Sequence, residues 1–226
     1  MKYSANDIAH MIEHVPKIGN GYEELERLCL EAIEYQFAAM DCTEASVGFC
    51  KNILKGSGVK ASATISFPLS QSSTAAKLFE AEEAIKAGAD EIGFGVNILE
   101  VKAKNYNYIK NEMNEIVKLC KRDNLASKVT FENYYLSDEE KIWLCDIASE
   151  VEVGYVKTST GFAPGGATVE DVKLMRAHVP STIGVKASAG IRDLETLLVM
   201  VEAGATRIGT TSGVKIINKM REKNNI

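Results

Sequence analysis

The chain has 226 residues, 46% hydrophobic and 25% charged, with a net charge of −5. A mildly acidic chain without a basic block argues against a nucleic-acid groove or an anionic membrane surface as its partner. No stretch approaches the length of a membrane span, and the start, MKYSANDIAHMIEH, lacks an apolar export segment, so a cytoplasmic location is expected.

From the N-terminus, the first extended run is 11–15, MIEHV. An apolar face at Leu25, Leu28, Ala32 and Ile33 predicts a helix, followed by extended runs at 37–42, FAAMDC, and 61–67, ASATISF. A second helical face, Leu78, Ala81, Ala84 and Ile85, ends at Gly88, which suits the left-handed position after a helix. The run 91–97, EIGFGVN, precedes a helix carrying Ile116, Leu119 and Cys120, and 128–132, KVTFE, follows it. Ser137-Asp-Glu-Glu140 reads as a capping box, and Thr168-Val-Glu-Asp171 as a threonine N-cap with an acid in the first turn. The last three extended runs are 153–159, VGYVKTS; 183–188, IGVKAS; and 206–211, TRIGTT, the last entered through Gly204. Eight extended runs alternating with helices predict right-handed βαβ units and a closed (β/α)8 TIM barrel, one domain over 1–226. An open doubly wound sheet fits less well, because no G-x-G-x-x-G follows the first strand.

Five cysteines form no C-x-x-C pair and have no histidine at metal spacing, so they read as reduced core thiols. The three histidines are dispersed, and no metal site is expected.

Two of the extended runs carry a lysine where an apolar residue belongs: Lys157 and Lys186, on neighbouring strands. If both face the barrel interior, like charge and poor solvation disfavour two ammonium groups, and one amine titrates below its free value of about 10.4. A neutral amine near neutral pH suits Schiff-base chemistry with a carbonyl. The plainer alternative has both lysines facing outward and snorkelling between helices. The turns after the last strands, G-F-A-P-G-G-A-T (161–168), A-G-I-R (189–192) and G-T-T-S-G (209–213), offer backbone N–H groups for a phosphate.

V-K-T-S-T-G-F (156–162), V-K-A-S-A-G-I-R (185–192) and A-G-A-T-R-I-G-T-T-S-G (203–213) resemble the deoxyribose-phosphate aldolase (DeoC) family. F-P-L (67–69), G-A-D-E-I (88–92) and E-N-Y-Y-L-S-D-E-E-K-I (132–142) resemble it too. The resemblance implies an aldehyde-lyase that needs no metal or cofactor and cleaves 2-deoxy-D-ribose 5-phosphate to D-glyceraldehyde 3-phosphate and acetaldehyde. It implies that Lys157 forms the Schiff base and that Lys186 keeps it nucleophilic. Thr158, Gly161, Gly190, Ile191, Arg192, Gly209, Thr211 and Ser212 then fall on substrate- or phosphate-binding turns. A homodimer is the expected assembly.

The sequence also departs from the family's pattern. The fourth strand usually reads D-E-I-D, its last aspartate acting as acid/base; here it reads D-E-I-G, and Gly93 cannot relay a proton. The first strand has Glu13 for an aspartate, the second has Asp41 for a cysteine, and the phosphate turn has Ala189 for a glycine, read as a mild exchange. Asp41 or Glu13 is therefore a candidate for a relocated carboxylate. Two further readings stand beside the leading one: an aldolase of the same chemistry with another aldehyde or sugar phosphate, and a barrel that binds sugar phosphates without turning them over.

Overall fold

The computed structural model describes residues 3–224 apart from 18 and 20. Eight parallel strands close into a barrel in chain order, each pairing with its sequence neighbours and β8 with β1. They are β1 (Ile12–His14), β2 (Ala39–Thr43), β3 (Lys60–Thr64), β4 (Glu91–Gly95), β5 (Ala126–Thr130), β6 (Tyr155–Lys157), β7 (Gly184–Ser188) and β8 (Arg207–Thr210). Every extended run expected from the sequence is present, within a few residues of its expected ends.

Helices fill the intervals: α1 (Ala5–Ala9), α2 (Tyr22–Glu34), α3 (Val47–Leu54), α4 (Thr74–Lys86), α5 (Ile98–Lys102), α6 (Tyr106–Arg122), α7 (Asp138–Val151), α8 (Val169–His178), α9 (Leu194–Glu202) and α10 (Gly213–Asn224). Their ends are fixed by local chemistry. Ser137 accepts from the Glu140 N–H while the Glu140 carboxylate accepts from the Ser137 N–H, closing the capping box of α7. The Thr168 hydroxyl accepts from the Asp171 N–H at 3.0 Å to start α8. Gly88 and Gly204 follow α4 and α9 at φ 99° and 114°, a conformation that glycine enters without cost.

Alternation along the strands divides the interior into two different cores. One set of side chains, including Ile12, Met40, Ile92, Val129, Val156, Val185 and Ile208, is buried in the apolar shell between barrel and helices. The five cysteines lie in it, all free and buried. The other set points into the barrel and is polar or charged, which is unusual for a volume that branched apolar residues generally fill. Among the described residues, no helix is long and apolar enough to cross a membrane.

Candidate active site

Inside the barrel, Glu13, Asp41, Glu91, Lys128, Lys157, Lys186 and Arg207 are all buried, so four cations face three carboxylates. Most of this charge is tightly paired. The Lys128 amine donates to Glu13 Oε2 at 2.9 Å, to Glu91 Oε2 at 2.8 Å and to the Ser62 hydroxyl. The Arg207 guanidinium donates to Glu13 at 3.2 Å and to Glu91 at 3.1 Å, and stacks over the Tyr155 ring at 5.0 Å. Lys186 donates to the remaining oxygen of Glu13. Burial pushes Glu13 up, but Lys128, Lys186, Arg207 and Lys157 outweigh it and hold its carboxyl well below the usual range. Glu91 is held down in the same way by Lys128 and Arg207, and these two acids in turn keep Lys128 protonated despite burial.

The two strand lysines do face inward, and they are register partners on adjacent strands. The pKa of Lys186 falls to about 7. Burial is the main cause, and the neighbouring charges of Lys157 and Lys128 add to it; together they overcome the opposing pull of Glu13 and Asp41. Lys157 is 4% exposed, and its amine forms no hydrogen bond or ion pair among the described residues. Gly209 makes room for this arrangement, since a Cβ there would stand 3.0 Å from Lys186 Cε. Carbonyl chemistry needs an amine that is sequestered yet not locked in a salt bridge, and Lys157 is placed in that way.

Over the C-terminal ends of β1, β2, β3, β7 and β8 lies a cavity of about 840 Å³. Its walls include Asp41, Thr64, Ser188, Gly209 and Thr210 from the strands, and Gly161, Gly190, Ile191, Arg192 and Thr211 from the turns expected to take a phosphate. Gly161 and Gly190 sit at φ 96° and 83°, where backbone N–H groups can turn toward a ligand. Lys17 and Arg192, both exposed, add positive charge to the same wall. The exchange at Ala189 is not mild in backbone terms. Ala189 has φ 72°, the left-handed region that disfavours a Cβ, and its carbonyl would clash with any side chain at Gly166.

Two expected contact residues, Thr158 and Ser212, are not among the residues that line this cavity. The Thr158 hydroxyl is fully buried, donating to the Ser188 carbonyl at 3.3 Å and accepting from the Ser188 N–H at 3.2 Å, so it staples β6 to β7. The Ser212 N–H donates to the Thr210 hydroxyl at 2.9 Å, and that hydroxyl donates to the Ile191 carbonyl at 2.6 Å. Glu13 is not among the cavity's lining residues and has both oxygens committed, whereas Asp41 lines it.

Several residues of the site escaped the sequence reading. Lys128 and Arg207 stand at or next to the starts of the expected runs 128–132 and 206–211, where a charge reads as an ordinary strand end, although Lys128 is the central residue of β5. Their signal was the alternation they share with Lys157 and Lys186. Glu132, at φ 58°, grips the loop after β6 by accepting from the Thr160 N–H at 3.1 Å and from the Thr160 hydroxyl. A left-handed glutamate is costly and persists where contacts compensate; here they hold the segment that follows Lys157.

This geometry has close relatives. Over residues 4–219 the chain matches the model of the DeoC/LacD family of aldolases. It is 43% identical over 222 residues to the deoxyribose-phosphate aldolase of Lactobacillus acidophilus, covering 98% of this chain and 94% of that one. With the enzyme of the same name from Thermococcus kodakarensis it shares 48% identity over 197 residues, 86% of this chain and 88% of the other. Among solved structures, the tetrameric deoxyribose phosphate aldolase of Aeropyrum pernix superposes with a TM-score of 0.90 at 30% identity, covering 97% of this chain and 93% of that one. The chain belongs to the DeoC/LacD family of aldolases.

Proposed function

We propose that this barrel is a Schiff-base aldolase, an aldehyde-lyase that cleaves 2-deoxy-D-ribose 5-phosphate to D-glyceraldehyde 3-phosphate and acetaldehyde. The observation that carries this reading is the register pair Lys157 and Lys186, one amine without a partner among the described residues and the other shifted to about 7, on strands whose following turns line a glycine-rich cavity. The relatives named above carry the same activity in their names.

In this reading the turns of 189–192 and 209–212, with Lys17 and Arg192, hold the phosphate, which places the sugar's aldehyde carbon over Lys157. The amine adds to C1, and loss of water gives a protonated imine. That cation draws the electrons of the C2–C3 bond toward nitrogen as the C3 hydroxyl loses its proton. Glyceraldehyde 3-phosphate departs, an enamine stays on Lys157, and protonation at C2 followed by hydrolysis frees acetaldehyde. Lys186, near its own midpoint at neutral pH, exchanges protons with Lys157 as the imine forms and breaks. Glu13, Glu91, Lys128 and Arg207 do not touch substrate; they fix the electrostatic setting of the lysine pair. A cytoplasmic location and self-association, as a homodimer or like the Aeropyrum pernix tetramer, belong to the same reading.

Incubation with 2-deoxyribose 5-phosphate is expected to release acetaldehyde, followed by coupled reduction with an alcohol dehydrogenase. No release at substrate saturation would overturn the substrate assignment. Turnover is also expected to fall as pH drops below about 7, because a protonated Lys186 can no longer accept a proton from Lys157. A rate–pH profile flat from pH 5 to 9 would remove Lys186 from that role.

A further inference from the structure

The lysine pair accounts for making and breaking the imine, but cleavage also needs a group that takes the C3 hydroxyl proton and one that protonates C2. Of the three carboxylates inside the barrel, two are spent. Glu13 is fully buried with both oxygens in ion pairs, and Glu91 gives both of its oxygens to Lys128 and Arg207. Asp41 differs from both. It is the one acidic side chain among the described residues that line the large cavity, and it is 7% exposed. Its Oδ1 accepts from the Thr64 hydroxyl at 2.8 Å, while its Oδ2 has no hydrogen-bond partner among the described residues.

The neighbouring strand explains how Thr64 comes to be free for this bond. Thr64 is the register partner of Gly93 on β4, and a Cβ at Gly93 would stand 3.0 Å from the Thr64 hydroxyl. Such a contact is tight for a real Cβ, so a side chain at Gly93 would press on the hydroxyl that orients Asp41. Around Asp41, the charged groups facing the barrel interior are Glu13 on β1, Glu91 on β4, Lys128 on β5, Lys157 on β6, Lys186 on β7 and Arg207 on β8. Of these, Lys128 and Lys186 are close enough for the Asp41 charge to act on them.

We propose that Asp41 is the proton relay of this aldolase, a catalytic residue oriented by Thr64 and given room by Gly93. The inference rests on the Schiff-base reading. In the cleavage direction the carboxylate accepts the C3 hydroxyl proton as the C2–C3 bond breaks and its electrons pass to the iminium nitrogen. The same proton then goes to C2 of the enamine, so Asp41 ends ionised, as it began, and no further reactant is consumed. Thr64 touches no reacting atom; it is a positioning residue.

The test separates imine formation from proton transfer. With acetaldehyde and borohydride, Asp41→Asn is expected to give the same irreversible mass increase at Lys157 as the parent protein. In deuterated water, exchange of the acetaldehyde methyl protons through the enamine is expected to fall by roughly 10²–10⁴-fold, and cleavage kcat with it. KM is expected to stay within about threefold, since a lost relay changes kcat rather than uniform binding. Thr64→Val, which keeps the carboxylate and removes its donor, should lower exchange by roughly tenfold with trapping intact. Purely structural damage would lower trapping and exchange together. Exchange in Asp41→Asn within twofold of the parent, or joint loss of trapping and exchange in folded protein, overturns the relay. If Asp41→Asn does not fold, undiminished exchange in Thr64→Val overturns it instead. A parent protein that forms no borohydride adduct overturns the aldolase reading, and the relay with it. An adduct without sugar-phosphate cleavage overturns only the substrate, because methyl exchange reads the relay without any sugar.

Discussion

Replacing Lys157 by leucine is expected to lower cleavage of 2-deoxyribose 5-phosphate by on the order of 10⁴-fold or more, and to abolish the borohydride adduct with acetaldehyde. The size of the effect follows from covalency: without the imine no electron sink exists for the breaking carbon–carbon bond. Leucine is close in volume to the lysine stem, and Lys157 has no ion pair among the described residues to break, so folding should be preserved. Deleting an unpaired buried amine also removes a desolvation cost, so the thermal midpoint is expected to hold or rise. An adduct that persisted in Lys157→Leu, located by peptide mapping at Lys186 or elsewhere, would reassign the nucleophile.

The second large effect is on stability. Glu13→Gln keeps the side chain's shape and removes the charge that pairs with Lys128, Lys186 and Arg207. Four buried cations then face only Glu91 and Asp41, and breaking such a network typically costs about 3–5 kcal/mol. The expected readout is a fall in the urea midpoint of unfolding. As a control, Lys86→Ala, which breaks an exposed helix-surface pair with Glu83, should leave the midpoint where it was. The same carboxylate sets an acid limit. Its folded pKa lies well below 4.5, so its contribution is complete above the unfolded value and is lost as pH falls through the folded one. Glu13→Gln should therefore flatten the acid limb of the stability profile. A midpoint unchanged by the substitution would mean that the layer contributes no net stability.

How much of this could be read from the sequence varied with distance along the chain. The eight strands were legible because each is a short β-branched or apolar run bounded by helix caps. The end of β6 was not: the apolar and hydroxyl-bearing run extends to 159, yet the strand stops at Lys157, where the Thr158–Ser188 staple and the Glu132 clamp hold the chain that follows. Lys157 and Lys186 were legible because a lysine interrupts an otherwise apolar pattern. What Glu13 does was not, since its partners lie 115, 173 and 194 residues away and meet it only once the barrel closes. Asp41 stood out as an unusual residue, but its bond to Thr64 and the space left by Gly93 are properties of three adjacent strands, not of any one segment.

The split between a charged interior and an apolar outer shell also bears on how the chain finds its register. Side chains alternate faces with a period of two, so slipping one strand by a single residue exchanges its two sets. For β5, such a slip would carry Lys128 into the apolar shell and set Val129 against Glu13 and Glu91. In a barrel with hydrophobic residues on both faces that error would be cheap. Here it strands a charge in hydrocarbon and unpairs two carboxylates at once. The ions at the centre thus act as alignment marks for assembly, penalising every odd-numbered misregistration of β1, β4, β5, β7 and β8.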